Sequence, residues 1–181
     1  MKSNQIVRNQ RGATLVEAMI AIFILTFGIL TVMVMQIRAI GASSTAMNRT
    51  EANNVSLALL ETLKELPFDN ANLTKTTATL AELTGVTNNQ QLQLLIDAGK
   101  VRTFTAAAFP EMQTLVQAGT TAGMITDRTG ITYQLAWAVV DQTLASGETL
   151  HKTLWVFLYW NSLMGQNRLQ MTTVKYSNVP L

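Results

Sequence analysis

The longest apolar run of the chain lies close to its N-terminus. Between Glu17 and Arg38, twenty consecutive residues carry no charge, AMIAIFILTFGILTVMVMQI. Because a helix rises about 1.5 Å per residue, such a run is about 30 Å long, which is the thickness of a bilayer's hydrocarbon core. The pattern therefore predicts one membrane-spanning helix over residues 18–37.

Helical spacing continues beyond this segment. The first proline is Pro67, and the residue before a proline disfavours helical backbone. Val55, Leu59 and Leu63 recur every four residues, as on the buried face of a helix. These signals predict one long helix over residues 13–66, whose segment 55–66 packs against a globular domain formed by residues 67–181.

Alternation of apolar and polar side chains is typical of the last third of the chain. It is clearest over Ile131–Val139, whereas Leu150–Trp160 is apolar on both faces, as in a strand that is covered on both sides. A third strand is predicted over Arg168–Tyr176, with a bulge near Thr172–Thr173 where its apolar phase changes. Residues 131–178 are thus expected to form an antiparallel meander of three to four strands.

The intervening segment, residues 67–130, is rich in Thr, Asn, Gln and Ala and shows weaker patterns. Helices are predicted over Asn88–Ala98, with Gly99 as its cap, and over Pro110–Ala118, where the proline occupies the first turn. A short strand is predicted over Val101–Thr105. The glycines and threonines that follow lack the lysine and the spacing of a phosphate-binding loop, so they predict a turn or loop.

Charge is unevenly distributed along the chain. Lys2, Arg8 and Arg11 lie in the first twelve residues, which contain no acid, while the rest of the chain has ten basic and eleven acidic side chains. The sequence pI of about 9.1 therefore reflects a basic leader, and no nucleic-acid site is predicted. Since basic flanks remain on the cytoplasmic side, we expect residues 1–12 in the cytoplasm and the domain that follows the membrane helix on the opposite side of the membrane.

Glu17 places a carboxylate at the start of the apolar segment. A charge in a membrane helix costs about 2.5–3.5 kcal/mol on insertion scales, so such a group usually has a partner or a functional position. In a plain signal anchor, Glu17 would extend toward the membrane surface. If the chain were instead cut just before Ala13, the new α-amino group of one subunit could pair with the Glu17 carboxylate of its neighbour. Mispaired charges are costly in an apolar core, so this pair would set the registry of subunits.

Composition excludes most catalytic chemistry. The chain has no Cys and one His, which excludes disulfides, cysteine nucleophiles and histidine clusters for zinc. The candidate groups for an enzyme are His151, Asp127, Asp141, Glu111 and Glu148. The two aspartates flank the first strand of the meander and are expected in turns, and His151 is expected to be an exposed polar residue at a strand start. We therefore expect no enzyme, no cofactor and no metal site.

A short motif surrounds Glu17. The residues Arg11-Gly12-Ala13-Thr14-Leu15-Val16-Glu17 follow a basic leader and precede the apolar run. In this order they resemble the prepilin signature of type IV pilins and pseudopilins. The resemblance implies that a prepilin peptidase cuts after Gly12 and methylates Ala13, where phenylalanine is more usual in the family. It also implies that Glu17, together with Thr14, serves subunit registry and assembly.

The later sequence narrows the resemblance. The strand LWVFLYW at 154–160 and the helix at 22–40 are similar to those of PilV-type minor pilins, and the two-cysteine loop of many major pilins is absent. The resemblance implies an α+β pilin fold, with the chain anchored in the inner membrane and its C-terminal domain in the periplasm before assembly. It also implies a minor pilin that joins other pilin subunits on an inner-membrane assembly platform, in the initiation or tip complex of the filament. The alternatives are a minor pseudopilin of a type II secretion system, a major pilin, and an uncleaved single-pass periplasmic anchor or sensor.

Overall fold

The computed structural model describes residues 14–105, 107–145, 147–162 and 165–177. The chain divides into two compact units, one up to Ala42 and one from Ser43 onward. A single helix, α1 (Leu15–Glu65), contributes its first part to one unit and its last part to the other. The long N-terminal helix predicted from the sequence is confirmed.

The second part of α1 supplies one wall of the core of the second unit. The helix ends at Glu65, two residues before Pro67, as the proline predicted. Its buried side chains fall at helical spacing on one face and are Ala52, Val55, Ser56, Leu59, Leu60 and Leu63. The predicted packing of segment 55–66 is therefore confirmed.

The described part of the second unit contains one antiparallel sheet of six strands. The strands are β1 (Arg102–Thr103), β2 (Val116–Ala118), β3 (Met124–Asp127), β4 (Thr132–Thr143), β5 (Thr149–Ser162) and β6 (Gly165–Tyr176). Their order is β2-β3-β4-β5-β6, and β1 pairs with β4. The meander of three to four strands predicted over residues 131–178 is present as β4-β5-β6, and β1, β2 and β3 extend the sheet with residues that precede this range. The long apolar helix and the antiparallel sheet are consistent with the α+β pilin fold.

The two faces of the sheet belong to two separate apolar cores. On one face, Trp137 of β4 and Val156 of β5 share a cluster with the buried side of α1. On the other face, Phe157 and Tyr159 share a cluster with α2 (Leu80–Gly85) and α3 (Asn89–Asp97). This explains why β5 is apolar at odd and even positions alike, and the predicted cover on both sides is confirmed.

One helix predicted between α1 and the meander is present and one is not. Helix α3 matches its prediction, and Gly99 follows it with a φ of 64°, a left-handed backbone that glycine adopts without strain. The helix predicted over Pro110–Ala118 is wrong. A short 3₁₀ turn over Pro110–Thr114 is followed by β2, because Val116 is buried and pairs with Asp127 of β3. Strand pairing there outweighs the local helical signal.

The predicted bulge in the last strand is also wrong. The register of β6 on β5 is continuous from Gly165 to Tyr176. The apolar phase changes because Val174 and Tyr176 lie on the exposed face of the strand, where they are 38% and 67% exposed. In the described part of the sheet, the register shift lies elsewhere, between Gln142 and Thr143 on β4.

Candidate subunit-assembly surface

The first unit exposes apolar side chains around the whole circumference of α1. From Leu15 to Ile40 every residue is exposed, and Phe23, for example, is 64% exposed. The most apolar window of the helix has a mean hydropathy of 2.6 with none of it buried, which makes α1 long and apolar enough to cross a membrane. So large an uncovered apolar surface requires lipid or protein around it.

The hydroxyl groups inside this segment are already satisfied by the helix itself. Thr26 donates to the carbonyl of Ile22 at 2.8 Å, and Thr31 donates to the carbonyl of Phe27 at 2.9 Å. Such bonds to the preceding turn remove the cost of placing a hydroxyl in an apolar environment. The threonines therefore do not interrupt the apolar surface.

Glu17 lies in the first turn of α1 and differs from these threonines. Thr14 begins the helix as its N-cap, since its Oγ1 accepts the Glu17 N–H at 3.3 Å and its carbonyl accepts the Ala18 N–H at 3.1 Å. This is half of a capping box. The Glu17 side chain is exposed, and among the described residues no hydrogen bond or ion pair reaches its carboxylate. The structure thus brings Thr14 and Glu17 together in the first turn of α1.

A shallow groove crosses the apolar surface at Gly28. The missing side chain leaves a recess bordered by Ile24, Leu25, Ile29 and Val32. A Cβ added at Gly28 would meet no atom within 4 Å. Small residues of this kind allow the backbones of two helices to approach closely. The groove therefore offers a neighbouring helix a place to pack.

Two lysines that sequence reasoning missed connect the sheet to the last turn of α1 and to the segment that follows it. Lys175 of β6 donates to the carbonyl of Lys64 in the last turn of the helix. Lys152 of β5 is buried and donates to the carbonyls of Phe68 at 2.7 Å and Leu73 at 2.9 Å. Cations at a helix C-terminus satisfy free carbonyls and complement the helix dipole. The signal in the sequence was the position of Lys152, which shares its strand face with the residues that line the α1 core.

Asp127 organises the turn between β3 and β4, as expected for a turn aspartate. Its Oδ1 accepts the N–H and hydroxyl of Thr129 and the N–H of Ile131 at 2.7–2.9 Å, while Oδ2 accepts the Tyr133 hydroxyl at 2.8 Å. Burial alone would raise the pKa of Asp127, but these four donors outweigh it and hold the pKa below its ordinary value. Burial and the neighbouring carboxylate raise the pKa of Tyr133 far above its usual range. The group is a structural latch rather than a reaction centre.

The remaining candidates for an enzyme do not converge. Asp141 lies inside β4 and not in a turn, so the predicted turn position is wrong. It is the register partner of Lys152 on β5, and its enclosed Oδ1 has no hydrogen bond among the described residues. His151 is partly exposed beside the ring of Tyr176. Glu111 lies in the 3₁₀ turn before β2. Within the described ranges, no three His, Cys, Asp or Glu residues are grouped to hold a metal ion.

The predicted leader and processing residues, Lys2, Arg8, Arg11, Gly12 and Ala13, lie outside the described residues. Comparison with known families bears on this region. Residues 7–33 match the family model of the prokaryotic N-terminal methylation motif. The match spans the predicted cleavage position and most of the apolar segment, and it supports a precursor of the type IV pilin or pseudopilin class, whose members are structural subunits. No curated protein and no solved structure matches the chain.

Proposed function

We propose that this chain is a minor type IV pilin. It is made as a membrane-anchored precursor, cut after Gly12 and methylated at Ala13, and it then assembles through α1 into the initiation or tip complex of the filament. The observation that carries the proposal is the uncovered apolar surface of α1 next to a methylation motif. One surface can serve twice, in lipid before assembly and against other helices afterwards.

The geometry at the helix start supports the pairing of subunits. Thr14 caps the first turn, so the helix begins two residues after Ala13. Cleavage before Ala13 would create an amine beside the first turn of α1. Glu17 of an adjacent subunit would present a carboxylate to which no residue in the described part of its own chain is bonded. In an apolar surrounding, this ion pair would favour one register between neighbouring helices.

The first experiment tests processing. The chain is expressed with its prepilin peptidase, and the N-terminus of the membrane-extracted protein is determined by mass spectrometry. We expect a chain that starts at methylated Ala13, whereas Gly12→Ala retains the leader and does not enter filaments. Gly28→Ala is the matched control, because the added Cβ contacts nothing and cleavage should be unchanged. An intact Met1 terminus in the unaltered chain would contradict the proposal.

A second experiment distinguishes the minor pilin from a type II secretion pseudopilin. The absence of cysteine favours a minor over a major pilin, since many major pilins close a two-cysteine loop. If the chain is deleted, we expect fewer surface pili and unchanged secretion, with the protein present as a small fraction of the subunits in sheared filaments. Loss of secretion with normal piliation would indicate the pseudopilin instead.

A further inference from the structure

A polar pocket of about 430 Å³ opens beside β1, within the second unit. This volume falls in the range of clefts that hold small molecules, about 300–1,000 Å³. Two cationic residues line it, Lys75 and Arg102, and none of its lining residues is acidic. The pocket is independent of α1 and of its apolar surface, so its role is separate from the proposed function.

Both walls of the pocket are fixed to the edge of β4. On one side, Thr76 exchanges three hydrogen bonds with the backbone of Val139, at 2.9–3.1 Å. On the other side, Arg102 of β1 pairs with Trp137. The indole N–H of Trp137 donates to the carbonyl of Asn72 at 3.2 Å, which joins the two walls across the floor. The pocket is therefore formed before any ligand arrives.

Among the described residues, neither cation of the pocket has an acidic partner. The ion pair seen in the described chain joins Lys100 to Glu82 and involves neither Lys75 nor Arg102. Arg102 makes one long bond, from Nη2 to the carbonyl of Thr74 at 3.4 Å, and its enclosed Nε has no acceptor. A buried donor without an acceptor is costly, and an arginine fork matches the geometry of carboxylate and phosphate groups.

We infer that this pocket binds the oxyanion group of a polar small molecule, with Arg102 and Lys75 holding the phosphate or carboxylate. Two cations in a described lining that contains no acidic residue select for negative charge. The remaining lining residues are mostly small or polar, which suits a hydroxylated body rather than an apolar one. They include Asn72, Thr76, Thr77, Gly99, Thr103 and Thr105.

Isothermal titration calorimetry on the full chain in a neutral detergent tests this inference. The probes are inorganic phosphate, glucose 6-phosphate, glutamate and, as the uncharged control, glucose. We expect saturable binding of at least one anionic probe and none of glucose. Stronger binding of glucose 6-phosphate than of inorganic phosphate would show that the pocket also contacts the uncharged part of the ligand. Comparing glutamate with the two phosphates shows whether the site prefers a carboxylate or a phosphate.

Charge-removing variants identify the site. Arg102→Gln is expected to weaken binding about tenfold or more, because it removes charge-assisted hydrogen bonds. Because Lys75 is exposed, Lys75→Gln should leave folding intact and weaken binding about threefold. Arg49→Gln, an exposed cation on α1, is the matched control and should leave affinity unchanged. Circular dichroism melting curves verify that each variant is folded.

Three results would overturn the inference. They are the absence of saturable binding for every anionic probe, equal binding of glucose and glucose 6-phosphate, and unchanged affinity in a folded chain that carries both Lys75→Gln and Arg102→Gln. None of these results depends on whether the leader is removed or the chain enters a filament.

Discussion

The two parts of α1 use apolar residues in opposite ways. Up to Ile40 they occupy every face of the helix and all are exposed. From Ala52 onward most of them form one buried face, while Leu57 and Glu61 lie on the exposed side. The second part is completed inside its own chain by the sheet. The first part is completed only by lipid or by another protein. The comparison shows that a regular helix can bury one part of its apolar surface within its own chain and depend on lipid or other subunits to bury the rest.

Two acids repeat this contrast. Asp127 accepts four hydrogen bonds from its own turn, so its charge is compensated within the fold. Glu17 receives no bond to its carboxylate from the described residues. The first acid therefore stabilises the monomer, and the second is predicted to act only when subunits meet.

The largest difference in the free energy of unfolding is expected between two variants that shorten one leucine in each part of the helix. Leu59→Ala should lower the free energy of unfolding of the second unit by about 2–5 kcal/mol, because Leu59 is fully buried and the change leaves a cavity. Leu25→Ala removes the same atoms from an exposed position and should change that free energy by less than about 0.5 kcal/mol. Denaturant titration followed by tryptophan fluorescence measures both.

This readout is specific to the second unit, since all three tryptophans of the chain, Trp137, Trp155 and Trp160, lie there. Equal destabilisation by the two leucine variants would mean that the apolar segment before Ala42 contributes to the same core. That result would remove the contrast between the two parts of α1.

Asp127→Asn should lower the free energy of unfolding by a smaller amount, about 1.5–3 kcal/mol, because it weakens hydrogen bonds to a charged acceptor. The pKa of Asp127 is lowered in the folded chain, so the unfolded chain binds more protons as the pH falls through that range. The stability from this group is present above the ordinary value of 3.8 and is lost as the pH falls through the folded pKa. Between pH 5 and pH 2, the free energy of unfolding should therefore depend less on pH in Asp127→Asn than in the unaltered chain. An equal pH dependence in the two chains would contradict the stabilising role of the Asp127 carboxylate.

The smallest effect on the monomer, and a large one on assembly, is expected from Glu17→Gln. Folding and cleavage should be unchanged, while incorporation into filaments falls about tenfold, because the ion pair with a neighbouring amine is lost. Glu61→Gln, on the exposed side of the same helix, is the matched control. Quantitative immunoblots of sheared filaments give the ratio, and normal incorporation of Glu17→Gln would refute the pairing.

Much of the fold could be predicted because its signals are long. The apolar run and the first proline indicate α1. Alternation over nine residues indicates β4, and a run that is apolar on both faces indicates β5. Strands β2 and β3 have three and four residues, too few for a period to show, and they are defined by pairing with each other and with β4. Helix α2 was missed although Thr79 and Glu82 form a capping box, because its six residues carry no clear apolar face.

The candidate site was predictable to a different extent. Glu17 stood out because it is an acid beside an apolar run, a local feature of the sequence. Lys152 did not stand out, because its role depends on two carbonyls that are 84 and 79 residues away in the chain. The same limit applies to Arg102 and Lys75, which line one pocket in a fold where β1 pairs with β4.

The central claim, that the apolar half of α1 is covered from outside the chain, is tested most directly by cysteine labelling. The chain has no cysteine, so single variants report one position each. Phe23→Cys and Leu94→Cys replace side chains that are 64% and 68% exposed in the isolated chain. In membranes and in filaments, a membrane-impermeant maleimide should label Leu94→Cys rapidly and Phe23→Cys only after denaturation. Equal labelling of both cysteines in native filaments would contradict the account.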